Sequence, residues 1–242
     1  SGWTPSGSCE WQLGTASNAM TIRVANGAST GVLEDTPWKD VASTVRSITF
    51  EGSHAIAFDG DTSQFFADCT ALEQLDLAGL DTSNMTEMDR MFENCSSLTE
   101  LDLSMFDTSR VTDMMIMFSG CSSLERLDVS SFNTSQVQYM NNMFYGCTAL
   151  QTLDITNFDT SKVVNMSIMF RDCSSLRTLD LSHFSTASAS SFEEFFGGCS
   201  SLTSVDLSSF DTRNAVSFWA MFSRCASLKE VDLTPLNTSK AN

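Results

Sequence analysis

Apolar residues return along this chain on a fixed schedule. Leu72, Leu98, Leu124, Leu150, Leu176, Leu202 and Leu228 are each 26 residues apart, and so are Cys69, Cys95, Cys121, Cys147, Cys173, Cys199 and Cys225. Counted from each Cys, Leu or Val stands at offset six (Leu75 to Val231), an Asp at seven and an aliphatic residue at eight. Positions six and eight alternate about the Asp, the period-2 pattern of a strand with one buried face. Offset eleven is Phe or Leu, followed by Asp, Asn or Ser and then by Thr. Those polar residues can accept hydrogen bonds from the free N–H groups of a first helical turn, so they mark a turn and a helix start. The next segment changes period: Val111, Met114, Met117 and Phe118 step by three, three and one, and Met85, Met88, Met91 and Phe92 do the same. That spacing predicts a short helix with an apolar stripe. Gly120, Gly146 and Gly198, each just before a Cys, would close it in the left-handed conformation.

Each unit therefore reads as strand, turn, short helix and return. A period of this length marks a solenoid, in which no unit buries its apolar face alone and each stacks on its neighbours. The L-x-x-L-D-L register is that of a leucine-rich repeat. The expected fold class is α/β: a leucine-rich-repeat solenoid of 26-residue units with a parallel β-sheet on the concave face and short helices on the convex face. Strands stack about 4.8 Å apart and helices about 8–10 Å apart, which is what would curve the stack.

The ends depart from the period. Ile48-Thr49-Phe50 and Phe65-Phe66 outline a degenerate first unit over 43–68; regular units begin at 69, and the last is truncated before its helix, so the natural protein is expected to continue past Asn242. Residues 1–42 lie outside the repeat. Cys9–Leu13 and Met20–Val24 read as two strands around Gly14–Asn18, followed by Asn26-Gly27 and Pro37-Trp38. The division expected is an N-terminal β-rich cap over 1–42 and a solenoid over 43–242.

Charge narrows the choice of partners. There are 13 Lys and Arg against 30 Asp and Glu, a formal charge of −17, with no basic run to displace counterions from a phosphate backbone. Nucleic acid and anionic membranes are disfavoured, and no apolar stretch is long enough to span a bilayer. The chain opens Ser1-Gly2-Trp3 with no start Met. Cysteine spacing offers no Cys-x-x-Cys, and only His54 and His183 are present, so no metal site is expected. In-register cysteines on neighbouring coils have Cβ atoms too far apart for easy bridging; free, buried thiols are expected.

The unit running from Cys121 through Leu124, Leu127-Asp128-Val129, Phe132-Asn133-Thr134 and Met143-Phe144 to Gly146 resembles the BspA-like leucine-rich repeat family of bacterial surface proteins. The resemblance covers about residues 43–242, and the opening Ser8-Cys9-Glu10-Trp11, Met20-Thr21-Ile22 and Pro37-Trp38 also looks like the segment preceding the repeats in that family. Offset eleven here is usually Phe where many relatives look to have Trp. The resemblance implies a secreted or cell-wall-associated protein used in adhesion to host matrix or to other cells, and names no ligand.

Candidate chemistry centres on the Asp column, Asp76, Asp102, Asp128, Asp154, Asp180, Asp206 and Asp232. Stacked carboxylates repel, so something must offset the repulsion. Three arrangements could do so: hydrogen bonds from the hydroxyls two residues on (Ser104, Ser130, Thr156, Ser182), a line of Ca²⁺ ions held by oxygen ligands, or a basic partner surface. The variable offset five contributes Gln74, Glu100, Arg126 and Thr152; Tyr139, Tyr145 and Trp219 are aromatic departures on the other side. Asp102, Asp128, Asp154, Asp180 and Asp206, with Arg126, are the candidate partner-binding residues.

No catalytic constellation, cofactor site or metal site is expected. A glycosidase needs two carboxylates in opposed environments, whereas these are equivalent, and neither His has a nucleophile placed beside it. Two functions remain: a monomeric module binding a host-matrix or cell-surface protein, or a passive spacer presenting another domain.

Overall fold

The alternating L-x-x-L-D-L segment is extended, as its period demands, whereas most of the segment read as a helix is a run of tight turns. The computed structural model describes residues 2–33 and 36–241; Ser1, Glu34, Asp35 and Asn242 lie outside them. The strands in chain order are β1 Thr4–Ser6, β2 Cys9–Gly14, β3 Ala19–Val24, β4 Gly31–Leu33, β5 Ser47–Glu51, β6 Ile56–Asp61, β7 Gln74–Leu75, β8 Asp81–Glu87, β9 Glu100–Asp102 and β10 Arg126–Asp128.

Two walls result. On the first, β1, β2 and β3 form an antiparallel meander, after which pairing turns parallel, with β5 beside β3 and β7 beside β5. Further along the same wall β9 and β10 pair in parallel, Leu101 opposite Leu127 and Asp102 opposite Asp128, which is the 26-residue period written in backbone register. The opposite wall begins with the parallel sheet β4-β6-β8 and continues as single parallel bridges joining Glu87, Asp113, Tyr139 and Asn165. The N-terminal edges of both walls are blunted. The edge strand β1 contains Pro5, which has no N–H to offer a further strand, and the Val32 amide of edge strand β4 donates 2.8 Å to the Ser8 hydroxyl.

The core is one continuous cluster from Cys9 to Met221. Its axis is a column of rings, one per coil: Trp38 stacks on Phe66 at 5.0 Å between centroids, Phe66 on Phe92 at 5.3 Å, Phe92 on Phe118 at 5.7 Å and Phe118 on Phe144 at 5.6 Å, all within 10° of parallel. Such pairs contribute about 0.5–1.5 kcal/mol each beyond the area they bury.

The helices expected on the convex face are not there. Among the described residues the only helical elements are two single 3-10 turns, Lys39–Val41 and Ser53–Ala55, so the architecture is a β-solenoid rather than an α/β one. An α-helix would bond each N–H to the carbonyl four residues back. Here alternate amides reach forward to the next coil instead: Met88 to Asp113 at 3.0 Å, Arg90 to Met115 at 2.9 Å, Phe92 to Met117 at 2.9 Å and Asn94 to Ser119 at 2.7 Å. Between them lie tight turns, Met91 to Met88 and Cys95 to Phe92, punctuated by left-handed residues at Arg90 and Asn94 (φ 55° and 58°). Turns four residues apart, each spanning three, place Met88, Met91, Phe92 and Cys95 inward at the spacing a helix would give, which is why the stripe imitates one.

The Asp and Asn residues read as helix starts do accept the amide two residues on, as Asp107 does from Ser109 at 3.0 Å and Asn133 from Ser135 at 3.1 Å, but each closes a turn and not a helix. Gly120, Gly146 and Gly198 do take positive φ (75°, 73° and 76°), again within turns. The argument for curvature falls with the helices, because the ring column on that wall repeats at strand-like and not helix-like spacing. No helix of the described residues is long and apolar enough to cross a membrane.

Candidate functional site

Several polar positions of the repeat bond one coil to the next. The buried Thr at offset thirteen is the clearest case. Thr108 donates its hydroxyl to the Asn133 carbonyl at 3.0 Å and accepts the Asn133 amide at 2.9 Å; Thr160 and Thr212 treat Ser185 and Asn237 in the same way. At offset ten, Ser131, Asn157, His183 and Ser209 each bond to a carbonyl of the preceding coil. His183 is thus a structural residue, its Nε2 2.8 Å from the Ile155 carbonyl.

The repeat cysteines are thiols and behave as core residues. From Cys95 to Cys225 each Sγ lies 3.0–3.2 Å from the Phe carbonyl 29 residues earlier. Burial pushes the thiols of Cys69, Cys121 and Cys199 up to about 12, and those of Cys95, Cys147 and Cys173 well above the ordinary value. They carry no thiolate at neutral pH, and it is the thiolate that acts as nucleophile or metal ligand.

The Asp column is exposed on the first wall. Each carboxylate folds back on its own turn: Oδ1 accepts the amide two residues on, at 2.9 Å in Asp102, Asp128 and Asp180, 3.1 Å in Asp154 and 2.8 Å in Asp206. Asp154 also accepts the Thr156 hydroxyl at 2.7 Å. These bonds hold Asp102, Asp154, Asp180 and Asp232 below the usual carboxylate range, the side-chain hydroxyl contributing most; in Asp206 the backbone amide leads. Of the three arrangements open in the sequence, the local hydrogen bond is the one whose geometry is present. Among the described residues no group of three or more His, Cys, Asp or Glu converges as a metal cage.

Three of the candidate Asp residues and Arg126 come together. An open depression of about 540 Å³ on the first wall is lined by Leu75, Leu101, Leu127 and Val129 on its floor and by Glu100, Asp102, Arg126, Asp128, Ser130 and Asp154 around it. Leu75 and Leu127 are half-buried there, while Leu101 and Val129 are buried. Arg126 pairs with Glu100, its neighbour across the β9–β10 pairing. Asp180 and Asp206 lie further along the column, outside this lining.

Reasoning from the sequence missed Leu75 and Leu127 as surface features, because the period assigns both to the core, whereas Leu101 and Val129 are buried as the period requires. The Glu100–Arg126 pair was available as a signal: both occupy offset five, one period apart. On the opposite wall Tyr139 and Trp219 are exposed (42% and 64%), as are Val216, three residues before Trp219, and Val164, whose amide donates to the carbonyl of Gln138 beside Tyr139. Tyr145 instead lies under the Arg171 guanidinium, 5.5 Å from the ring centroid.

No curated protein matches the chain. Among solved structures, a leucine rich cell surface protein from Faecalibacterium prausnitzii A2-165 aligns over 96% of this chain and 94% of its own at 16% identity, with a TM-score of 0.28. The model of one family, described as a Mycoplasma protein of unknown function, DUF285, matches residues 60–158 and 148–242. With two consecutive matches to that model running from residue 60 to residue 242, the chain belongs to the DUF285 family.

Proposed function

We propose that this chain is a secreted or cell-surface recognition module and that its first wall, around the depression between β7 and Asp154, takes a protein partner from host matrix or a cell surface. One observation carries the reading. Leu75 and Leu127 come to the surface between carboxylates, while the Thr, Cys and offset-ten positions are engaged in joining coils. Apolar area ringed by charge is the usual anatomy of a contact surface. The resemblance to bacterial surface repeats supports the location. The chemistry supports a non-enzymatic role without a cofactor: the buried thiols stay protonated and His183 bonds to a carbonyl. The negative charge directs such a module to proteins and away from nucleic acid.

A passive spacer is the second reading, favoured by how many consensus side chains serve only coil-to-coil bonding. The two separate in a binding assay with purified extracellular-matrix proteins at two salt concentrations, using the native chain and an Asp128→Lys/Asp154→Lys variant of unchanged melting temperature. A recognition module retains at least one partner at low salt, loses affinity at high salt and loses it in the variant. Binding to no matrix protein, or binding indifferent to the variant, sinks the assignment to this wall.

A further inference from the structure

The depression on the first wall has a composition that suits one kind of occupant, and this step rests on the reading of that wall as the recognition surface. Its floor is aliphatic: Leu101 and Val129 from below, with Leu75 and Leu127 half open to solvent. Its margin holds four carboxylates and one cation. The cation, Arg126, is engaged with Glu100; among the described residues no Lys or Arg forms an ion pair with Asp102, Asp128 or Asp154, and His183 lends Asp154 only the smallest of the influences on its carboxylate.

These three cannot relax away from one another. Asp102 and Asp128 are register partners on neighbouring strands, about 4.8 Å apart at strand spacing, and each is pinned through Oδ1 to its own turn. Asp154 is pinned twice. Among the described residues the bonds shown to these carboxylates fall on Oδ1, so a line of fixed negative charge stands over an apolar floor. A side chain with a methylene stem and a cationic head matches both features at once, and the −17 charge of the chain draws such a partner in.

We propose that this depression receives a lysine or arginine side chain of a partner protein, its stem on Leu127, above the buried Val129, and its cation among Asp102, Asp128 and Asp154. Arg126 then forms the rim at which the site ends, its own charge already satisfied.

The test uses the whole chain with labelled Leu and Val methyl groups and four capped pentapeptides that differ only at the centre: lysine, arginine, acetyl-lysine and norleucine. The lysine and arginine peptides are expected to shift the methyl signals of Leu127 and Val129 in a saturable way, and acetyl-lysine and norleucine to leave them unmoved. Asp128→Asn and Asp154→Asn keep the oxygen that holds each turn and remove the charge; each is expected to weaken the lysine peptide about two- to fivefold, the range of a solvent-exposed ion pair. Norleucine binding as well as lysine, or Asn variants binding as well as the native chain, overturns the cationic occupant. Silence of these methyls towards all four peptides, while a matrix protein still binds and is lost in Asp128→Lys/Asp154→Lys, overturns the side-chain pocket and leaves the recognition wall standing. Peptide binding with no matrix protein bound does the reverse.

Discussion

Thr186 and Asp211, 25 residues apart, hold each other by two bonds. The Thr186 hydroxyl donates to the Asp211 carbonyl at 3.0 Å and accepts the Asp211 amide at 2.8 Å, and Thr186 is only 1% exposed. Thr186→Val keeps the shape and leaves a buried donor and acceptor unmatched, so it is expected to cost about 1–3 kcal/mol in a denaturant titration. Thr186→Ser keeps the hydroxyl and is expected to cost less. A greater loss in Thr186→Ser than in Thr186→Val would show that the methyl group, and not the paired bonds, holds the coils together at this point.

Left-handed backbone is a second lever. Ile116 and Ile168 have φ of 60° and 62°, a conformation that β-branched residues avoid; the equivalent residue one coil on from Ile116 is Asn142, at 59°. Ile116→Asn is expected to stabilise the fold by about 1 kcal/mol. At Gly198 the sign is opposite: φ is 76°, and an added Cβ would stand 2.0 Å from Asp172 Oδ1, which Arg224 also contacts at 3.1 Å. Gly198→Ala is expected to lower the melting temperature.

The cysteine ladder is expected to be inert in the folded protein. With Cys121 pushed up to about 12 by burial, a thiol reagent at pH 8 should leave the core thiols from Cys69 to Cys199 unmodified until the chain is unfolded. Half-buried Cys225, at the described C-terminal end, should be the first of the repeat cysteines to react. Rapid labelling of Cys121 or Cys147 in the native state would contradict the packing.

Acid should loosen the first wall. Asp102, Asp154, Asp180, Asp206 and Asp232 are held below the ordinary value of 3.8, so the folded state prefers them ionised. Their contribution is present above about pH 4 and is lost as pH falls through the depressed values. Asp113 has the opposite sign: burial first, then Asp89 and Glu87, raise it. The folded state therefore pays for its ionisation as pH rises from 3.8 through its folded value, and Asp113→Asn is expected to raise stability at neutral pH. Asp180→Asn, keeping its turn, should make the acid transition shallower. Melting temperatures between pH 2 and 7 would read both effects.

The stacking period, the strand containing Asp102 and the burial of the repeat cysteines were all legible in the sequence, because strand alternation and a fixed period leave few alternatives. The second half of the coil was not. Met88, Met91 and Phe92 have helical spacing whether they lie on a helix or on successive tight turns, and only the backbone tells them apart, through Arg90 and Asn94 in the left-handed region and amides bonded to the next coil. The same limit hid the site. Leu127 occupies a core position by period, and its half exposure depends on how its strand sits between Leu101 and Asp154. Reading Thr108 as part of a helix start likewise found a hydrogen-bonding residue and missed that its partner, Asn133, lies a whole coil away.

The recognition wall is tested most directly by amide hydrogen exchange of the chain with and without a matrix protein found to bind it. Protection is expected over residues 100–102, 126–130 and 154–156. Protection confined to the opposite wall, around Tyr139, Val164, Val216 and Trp219, with residues 126–130 unchanged, would contradict the account.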